Sequence, residues 1–391
     1  MIKQHLFKLG KKVFFFVLLL SGQLVFAQKA SDLSIKLGTV TSENIFQSDD
    51  YYNWCPSVIA GDDGKFYMFY SRWPHGKRKL DDDPLNYIFN GFQGWMKYSE
   101  IACAVSDKLL GPYKFVKTVL PHAGSPGQWD KFTKHNAHIR KFDGYYYLYY
   151  ISSSFDPNFA FKNNPNPSKE SLQWMKYNAA QSIGVVKAKT IKDLLAGNYT
   201  RPAEPIMTVD HQQTFEIANN PSVTKGPDGK YYMMYKSRIP GGQMTFWMAR
   251  SVQPDGGFKT ISNVTNDKDL SSEDPSMWYD QKLKRFFAIA KYYATSLKYA
   301  PEFGCLYLIE SKNGKDWLPA KNSLVSLKEL NFKDGTKTKL KNLERPFVYT
   351  DQRGKPLAVF AAGNILPPGE GDVNHVDREH NSFIVGFSVL R

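Results

Sequence analysis

The sequence predicts an all-β protein, because one short pattern recurs five times along its 391 residues. Each copy has a polar cluster, a short apolar stretch, a tight turn and then an aromatic strand. The turn is often Asp-Gly, as at Asp228-Gly229, and Asp-Gly between two strand-like runs favours a β-hairpin because both central residues need a positive φ. The five copies begin at Pro56, Ala137, Pro221, Pro275 and Pro346.

A second pair of strand-like runs follows each hairpin and completes the repeat. Four strands per unit and five units are the pattern of a five-bladed β-propeller with four antiparallel strands per blade. The first two units are lengthened by loops at residues 75–95 and 155–177, and long loops on a rigid scaffold are where binding surfaces are usually built. Because no linker or change of composition interrupts residues 28–391, we expect them to form a single domain.

The first 27 residues have the features of a secretory signal peptide. Four lysines precede an unbroken apolar run at residues 13–20, and the small residue Ala27 follows before Gln28. The apolar run is too short to span a bilayer as a helix. We therefore expect cleavage near Ala27-Gln28, a secreted or periplasmic location, and no integral membrane segment after cleavage.

The chain is basic, with 51 Lys and Arg against 37 Asp and Glu. Loss of the four lysines of the signal peptide, which has no acidic residue, lowers the formal charge from +14 to +10. A basic exported protein attracts anionic polysaccharide, although the charge also serves solubility alone. No nucleic-acid-binding motif is visible, so no nucleic-acid partner is expected. The three cysteines cannot form a disulfide scaffold and leave at least one thiol unpaired.

Propeller geometry places the start of each inner strand at one end of the central axis, here called the mouth. Residues just before the five repeat starts meet there, and they include His135, Glu273, Asp274 and Glu344. Carboxylates that face each other across a sugar supply the acid and base of glycoside cleavage. We expect these four residues to be catalytic. The alternative is that the acids form structural ion pairs with neighbouring cations.

Cations, amides and an aromatic ring on the same face predict a substrate-binding surface. Arginine pairs with sulfate or carboxylate groups through two parallel hydrogen bonds, and a tryptophan ring can stack on a sugar. Eight residues are expected to bind substrate: Trp54, Arg72, Asn136, Asn220, Lys236, Arg238, Lys291 and Arg345. The cations favour an anionic oligosaccharide over a neutral one.

Two further groups of residues have no assigned chemistry. The cluster His375, Asp377, Glu379 and His380 matches no zinc spacing, so a solvated loop is expected there and no metal or other cofactor is assigned. Cys55 lies at the mouth, but no fixed base adjoins it in the sequence, and a buried inert thiol is expected.

The blade motif Asp-Gly-Lys-Tyr-Tyr-x-x-Tyr, which begins at Asp228, resembles that of the five-bladed propeller glycosidases of glycoside hydrolase families 43, 32 and 117. The resemblance covers the mature chain and implies glycoside hydrolysis. In these families an Asp-Pro in the first blade often supplies the general base. This chain has Cys55-Pro56 at that position and Asn220 in the third blade, and only Asp274-Pro275 keeps the Asp-Pro pair.

The leading hypothesis is an exo-acting glycoside hydrolase for sulfated or uronic-acid oligosaccharides, with Glu273 as general acid and Glu344 or Asp274 as base or acidity-tuning neighbour. The missing first-blade aspartate motivates a second hypothesis, a lyase or dehydratase that acts by elimination with His135 or a tyrosine as base. A third is a propeller that binds glycans without catalysis.

Overall fold

A computed structural model describes residues 30–77, 79, 83–124, 128–161, 172–210, 214–239, 242–264, 267–365 and 382–390. The five predicted hairpins are the innermost strand pairs of five antiparallel sheets, and the chain is a five-bladed β-propeller, as the sequence predicts. The predicted signal peptide and the His375–His380 cluster lie outside the described residues.

Three blades contain four-stranded antiparallel sheets, each with its strands in chain order. Two short strands, β1 (Lys36–Leu37) and β2 (Ile45–Gln47), precede the first blade. Blade one has β3 (Tyr51–Ala60), β4 (Phe66–Pro74), β5 (Glu100–Ser106) and β6 (Lys114–Leu120). Blade two has β7 (Phe132–Phe142), β8 (Tyr145–Ser153) and β9 (Gln181–Ala188). Blade three has β10 (Phe215–Lys225), β11 (Tyr231–Arg238), β12 (Met244–Ser251) and β13 (Lys259–Asn263).

Blade four has β14 (Ser272–Asp280), β15 (Arg285–Tyr292), β16 (Leu306–Ser311) and β17 (Leu318–Ser326), and blade five has β18 (Glu329–Asn331), β19 (Lys337–Thr350), β20 (Pro356–Ile365) and β21 (Phe383–Leu390). The described helices are α1 (Pro84–Phe89), α2 (Trp95–Tyr98), α3 (Asn158–Phe161), α4 (Leu172–Ala179) and α5 (Ile191–Ala196), with 3-10 turns at Ser42–Asn44, Phe92–Gly94 and Lys268–Leu270. Within the described parts of the chain, no helix combines the length and the apolar character needed to cross a bilayer.

The ring is closed by strands from both ends of the chain. The inner strands β3, β7, β10, β14 and β19 contact one another in this order, and β19 contacts β3. In blade five, β21 pairs with β20 on one side and with the N-terminal β1 and β2 on the other. The expectation that a second strand pair follows every hairpin is wrong here, because in the described part of the chain only β21 follows the hairpin of blade five, while the outermost strands β1 and β2 come from the N-terminal end of the chain.

Blade two also differs from the four-strand pattern. Beyond β9, residues 200–207 occupy the place of a fourth strand and meet β9 only at two isolated bridges, Thr200 with Lys187 and Met207 with Ile183. The outer edge of this blade is therefore irregular.

A β-bulge interrupts every inner strand next to the axis. Each strand pair of the five hairpins shifts register at this point. One residue in each bulge has a φ between 52° and 59°, a left-handed conformation that non-glycine residues rarely adopt: Cys55, Asn136, Asn220, Asp274 and Arg345. A bulge re-aims side chains, and here it sends one side chain from each blade into the axis.

Buried side chains connect successive blades just below the bulges. The hydroxyl of Ser222 accepts a hydrogen bond from the Met277 backbone N–H at 2.8 Å, and Ser57 and Ser276 make the equivalent contact with the following blade. In blade two the imidazole Nε2 of His138 takes this role and accepts from the Val223 N–H at 2.9 Å. Apolar clusters fill the remaining space between the blades.

Candidate active site

The five bulge residues form a hydrogen-bonded inner ring, with one member from each blade: Cys55, Asn136, Asn220, Asp274 and Arg345. The Cys55 thiol donates to the Asn136 side-chain oxygen at 3.2 Å, and Asn136 donates in turn to Asn220. Asn220 Nδ2 donates to Asp274 Oδ1 at 2.7 Å, and the Arg345 guanidinium reaches the same oxygen at 2.9 Å. The predicted binding residues Asn136, Asn220 and Arg345 are therefore brought together, with Asn136 bound to Asn220 and both Asn220 and Arg345 bound to Asp274.

The space below the inner ring is narrow. A chamber of about 30 Å³ lies there, lined by the prolines of the repeats together with His138 and Phe347. A water molecule occupies roughly 30 Å³ of liquid and needs at least 10–15 Å³ of cavity, so the chamber holds about one or two waters. A sugar can be bound only on the mouth side of the inner ring.

Four residues on the mouth side of the ring form an acid–lysine cluster: Lys236, Glu273, Lys291 and Glu344. Lys291 Nζ lies 2.6 Å from Glu344 Oε1 and 3.5 Å from Glu273 Oε2, while Lys236 Nζ lies 3.2 Å from Glu273 Oε1. Because both carboxylates bind one ammonium nitrogen, their nearest oxygens are at most about 6 Å apart, which is shorter than the spacing of inverting glycosidases. Glu273 is the most exposed of the four, with 16% of its side chain accessible.

The two adjacent acids of blade four have pKa shifts of opposite sign. Burial alone would raise the pKa of Glu273, but Lys236, Lys291 and Arg345 outweigh it and hold that pKa below its usual value. Burial raises the pKa of Asp274; Arg345 opposes this shift, while the charges of Glu273 and Glu344 add to it. Glu273 is therefore ionised at neutral pH, which favours a nucleophile or base over the general acid expected from the sequence.

His135 is buried beside the inner ring. Its Nδ1 lies 2.8 Å from the Ser99 hydroxyl and its Nε2 lies 3.5 Å from the Cys55 sulfur, while the ring stacks on Trp95 with 4.9 Å between centroids. Burial and the Arg345 charge hold the pKa of His135 well below its ordinary value, so the imidazole is neutral.

The expectation that no base adjoins Cys55 is wrong, because His135 is in contact with it. Burial nevertheless raises the pKa of the Cys55 thiol to about 12, so the thiol stays protonated. Cys55, Cys103 and Cys305 are all free and buried, which agrees with the unpaired thiol expected from the cysteine count.

Two predicted binding residues do not face the mouth. Trp54 is 2% exposed and packs with Trp73, Phe92 and Ala362 in an apolar cluster between blades one and five, so no face of it is free for a sugar. Arg72 binds Glu100 at 2.8 Å and Thr118 at 3.0 Å, because cross-strand pairing directs it to the outer strands of blade one. The expectation that Trp54 and Arg72 bind substrate is therefore wrong.

Arg238 lies near the mouth end of blade three and pairs with an acid that the sequence analysis missed. This acid, Glu216, is 9% exposed, has a φ of 66°, and accepts a hydrogen bond from Asn178 at 3.0 Å. Glu216 lies four residues before the bulge residue Asn220, and this spacing could have identified it from the sequence. It was not identified because the repeat was defined from Pro221 onward. Among the residues that the structure describes, no group of three or more His, Cys, Asp and Glu side chains is arranged to hold a metal ion.

Solved structures share this architecture. No protein-family model matches the chain, and none of the curated proteins is similar to it in sequence. A family 117 glycoside hydrolase from the marine bacterium Zobellia galactanivorans is 16% identical with a TM-score of 0.59, over 91% of this chain and 90% of that one. An α-L-arabinofuranosidase from Lactobacillus brevis is 11% identical with a TM-score of 0.54, over 89% of this chain and 94% of that one.

A Bacillus subtilis arabinanase is also similar in fold, with 11% identity and a TM-score of 0.50, over 89% of this chain and 97% of that one. The resemblance to five-bladed propeller glycosidases is thereby confirmed for the fold. At identities this low, the catalytic assignment has to come from the site itself.

Proposed function

We propose that this protein is a glycoside hydrolase with its reaction centre at the acid–lysine cluster. One observation carries the proposal: Glu273 and Glu344, from adjacent blades, meet at Lys291 on the mouth side with their nearest oxygens about 6 Å apart or less. Two carboxyl groups at such a separation can act on opposite sides of one glycosidic bond. The similar folds of known glycosidases support this assignment.

Glu273 acts as the nucleophile in this mechanism, because its lysine partners keep it ionised and a separation of at most about 6 Å from Glu344 leaves no room for the water that a general base would activate. Water then hydrolyses the glycosyl-enzyme that forms. Glu344 is the proton donor, and its ion pair with Lys291 determines how readily its carboxylate binds a proton. When Lys291 turns toward an anionic group of the substrate, Glu344 loses its 2.6 Å ion pair with Lys291, and a carboxyl group from which a cation moves away binds a proton more readily. Asp274, held by Asn220 and Arg345, tunes the acidity of the pair.

The substrate class in this proposal is an anionic oligosaccharide, cleaved from its end. Arg238 and Arg345 are partly exposed at the mouth, with 28% and 19% of their side chains accessible, and each can pair with a sulfate or a carboxylate. The 30 Å³ chamber is too small for a sugar, so the chain end would be bound at the mouth. Export through the N-terminal signal would bring the enzyme to such polysaccharides.

The neutral state of His135 favours a second candidate, cleavage by elimination with His135 as base. A general base must be unprotonated at the working pH, and burial supplies that state. Glu273→Gln and Glu344→Gln, compared with His135→Gln, separate the two candidates.

For the hydrolase, each Glu→Gln change should lower kcat/KM on sulfated or uronic-acid oligosaccharides on the order of 10²- to 10⁴-fold, with the melting temperature as a control for folding. His135→Gln should then have the smaller effect. The opposite ranking, with the unsaturated product of elimination, would support the second candidate. Binding of such oligosaccharides without turnover in the unaltered protein would instead indicate a glycan-binding propeller.

A further inference from the structure

A second cavity lies at the outer edge of blade two, away from the acid–lysine cluster. It has a volume of about 750 Å³, within the 300–1,000 Å³ typical of ligand sites. Residues 128–131, Ser154 and residues 201–204 line it, and we call it the blade-two cavity. It exists because residues 200–207 replace a regular fourth strand and meet β9 at only two bridges.

The blade-two cavity extends to the end of the blade that lies toward the mouth. Phe132 at the start of β7 pairs with Ser153 at the end of β8, and this end of the blade is the one that carries His135. The cavity residues Lys131 and Ser154 directly adjoin that pair. One glycan chain that extends outward from the axis over blade two would therefore pass this cavity.

Trp129 gives the cavity a fixed aromatic wall. Its ring stacks on Tyr150, with centroids 5.9 Å apart and planes at 19°, and it is only partly buried. A β-carbon at Gly184 would lie 2.7 Å from this ring, so the glycine of β9 makes room for it. A rigid, partly exposed ring beside hydrogen-bonding groups is suited to the apolar face of a sugar.

Asp130 gives the wall an unused hydrogen-bond acceptor. The residue is 0% exposed, and its Oδ2 accepts from the Tyr150 hydroxyl at 3.1 Å and pairs with Arg201. Among the residues that the structure describes, its Oδ1 has no hydrogen-bond partner, which is uncommon for a buried carboxylate oxygen. A ligand hydroxyl could satisfy this oxygen only after a rearrangement of the cavity wall, because no part of Asp130 is exposed.

The charges around the cavity balance, since Lys131 and Arg201 face Asp130 and Glu204. A site for a sulfate or a uronic acid would need an excess of positive charge. Its aromatic wall, its free acceptor and its balanced charge all suit an uncharged sugar.

We propose that the blade-two cavity is a distal subsite that binds an uncharged sugar unit of the glycan whose end occupies the acid–lysine cluster. The link to one glycan chain rests on the proposed hydrolase function, whereas the binding of a neutral sugar does not. The experiment below therefore measures binding, which is independent of turnover.

Isothermal titration calorimetry of the Glu273→Gln protein with neutral galacto-, xylo- and arabino-oligosaccharides of one to four units tests the proposal. At least one series should bind, and its affinity should change little between low and high salt, because no net charge is neutralised. Trp129→Ala should weaken binding by about three- to tenfold through loss of the aromatic contact. Ser154→Tyr, a change at an exposed position, should place a bulky ring in the entrance of the cavity and abolish binding even if Trp129→Ala impairs folding.

Tyr145→Ala provides the matched control, because this partly exposed aromatic residue lies at the opposite, turn-bearing end of blade two. It should leave the affinity unchanged. The proposal is overturned if no neutral series binds, or if Ser154→Tyr binds as tightly as its parent. Neutral-sugar binding that disappears in Ser154→Tyr, in a protein that hydrolyses nothing, would overturn the proposed function alone.

Discussion

Cys55 explains why the proposed chemistry lies outside the inner ring. It occupies the blade-one position where the resembling families often carry an aspartate base, and burial keeps its thiol protonated. The acid of the ring, Asp274, accepts hydrogen bonds from Asn220 and from both the guanidinium and the backbone N–H of Arg345. Because these two residues are occupied in the ring, the proposed mechanism uses Glu273 and Glu344 instead.

Lys134 supplies a prediction at the residue scale, through its effect on stability. It is 4% exposed beside Asp130, and burial lowers its pKa to about 8, against an ordinary value of 10.5. Between pH 8 and 10 the unfolded chain keeps the proton while the folded protein loses it, so this residue makes the protein more stable as the pH rises. The slope is at most about 1.4 kcal/mol per pH unit.

Urea unfolding between pH 7 and 10, for the unaltered protein and Lys134→Met, measures this contribution. The difference in unfolding free energy between the two proteins should shift in favour of the unaltered protein across the interval. An exposed lysine, Lys36→Met, should give a constant difference and serves as the control. A Lys134→Met difference that is equally independent of pH would show that Lys134 keeps its proton when folded.

At the scale of elements, side-chain acceptors between inner strands hold neighbouring blades together. Ser57, Ser222, Ser276 and the imidazole of His138 occupy equivalent positions, each bound to a backbone N–H of the next blade. His138 can accept only when neutral, and burial holds its pKa well below the ordinary value. His138 is thereby a structural residue, which agrees with the choice of His135 as the histidine of the mouth.

Ser222→Ala tests this connection. It leaves the Met277 N–H buried without a partner, and we expect a loss of about 1–3 kcal/mol in unfolding free energy. Ser34→Ala, at an exposed position, should change it by less than about 0.5 kcal/mol. Equal stability of the two variants in urea unfolding would contradict the role assigned to the inter-blade hydrogen bonds.

Hairpins could be predicted from the sequence, whereas bulges could not. The turn glycines Gly64, Gly144, Gly229 and Gly354 all have a φ between 76° and 82°, as Asp-Gly and Arg-Gly turns imply. The bulge residues are Cys, Asn, Asp and Arg, which share no left-handed preference. Their conformation follows from the packing of five strands around one axis, and this packing is not a property of any single segment.

For the whole molecule, the repeat predicts the number of blades but not how the ring closes. The pairing of β21 with β2 joins residues more than 330 positions apart, as in Ile45 with Val385, and no local signal marks it. The irregular outer edge of blade two was not predicted either, although the sequence indicates the long loop at residues 155–177 that precedes it in the chain. Ring closure and the edge of blade two both depend on contacts between residues that are far apart in the sequence.

The sequence predicted which residues meet at the mouth better than it predicted the direction and the charge state of their side chains. Inner-strand starts gave Glu273, Asp274, Glu344 and their cations, because propeller symmetry fixes where strands begin. The symmetry does not determine side-chain direction, so the predictions for Trp54 and Arg72 were wrong, and it does not give the pKa shift that keeps Glu273 ionised.

The central claim is hydrolysis at the acid–lysine cluster, and mass spectrometry of products formed in ¹⁸O-labelled water tests it most directly. Sulfated and uronic-acid oligosaccharides would be incubated with the mature protein and with Glu344→Gln. We expect fragments whose summed mass exceeds that of the parent by one water, with ¹⁸O in one fragment, and almost none with Glu344→Gln. Cleavage without gain of water, or equal cleavage by Glu344→Gln, would contradict it.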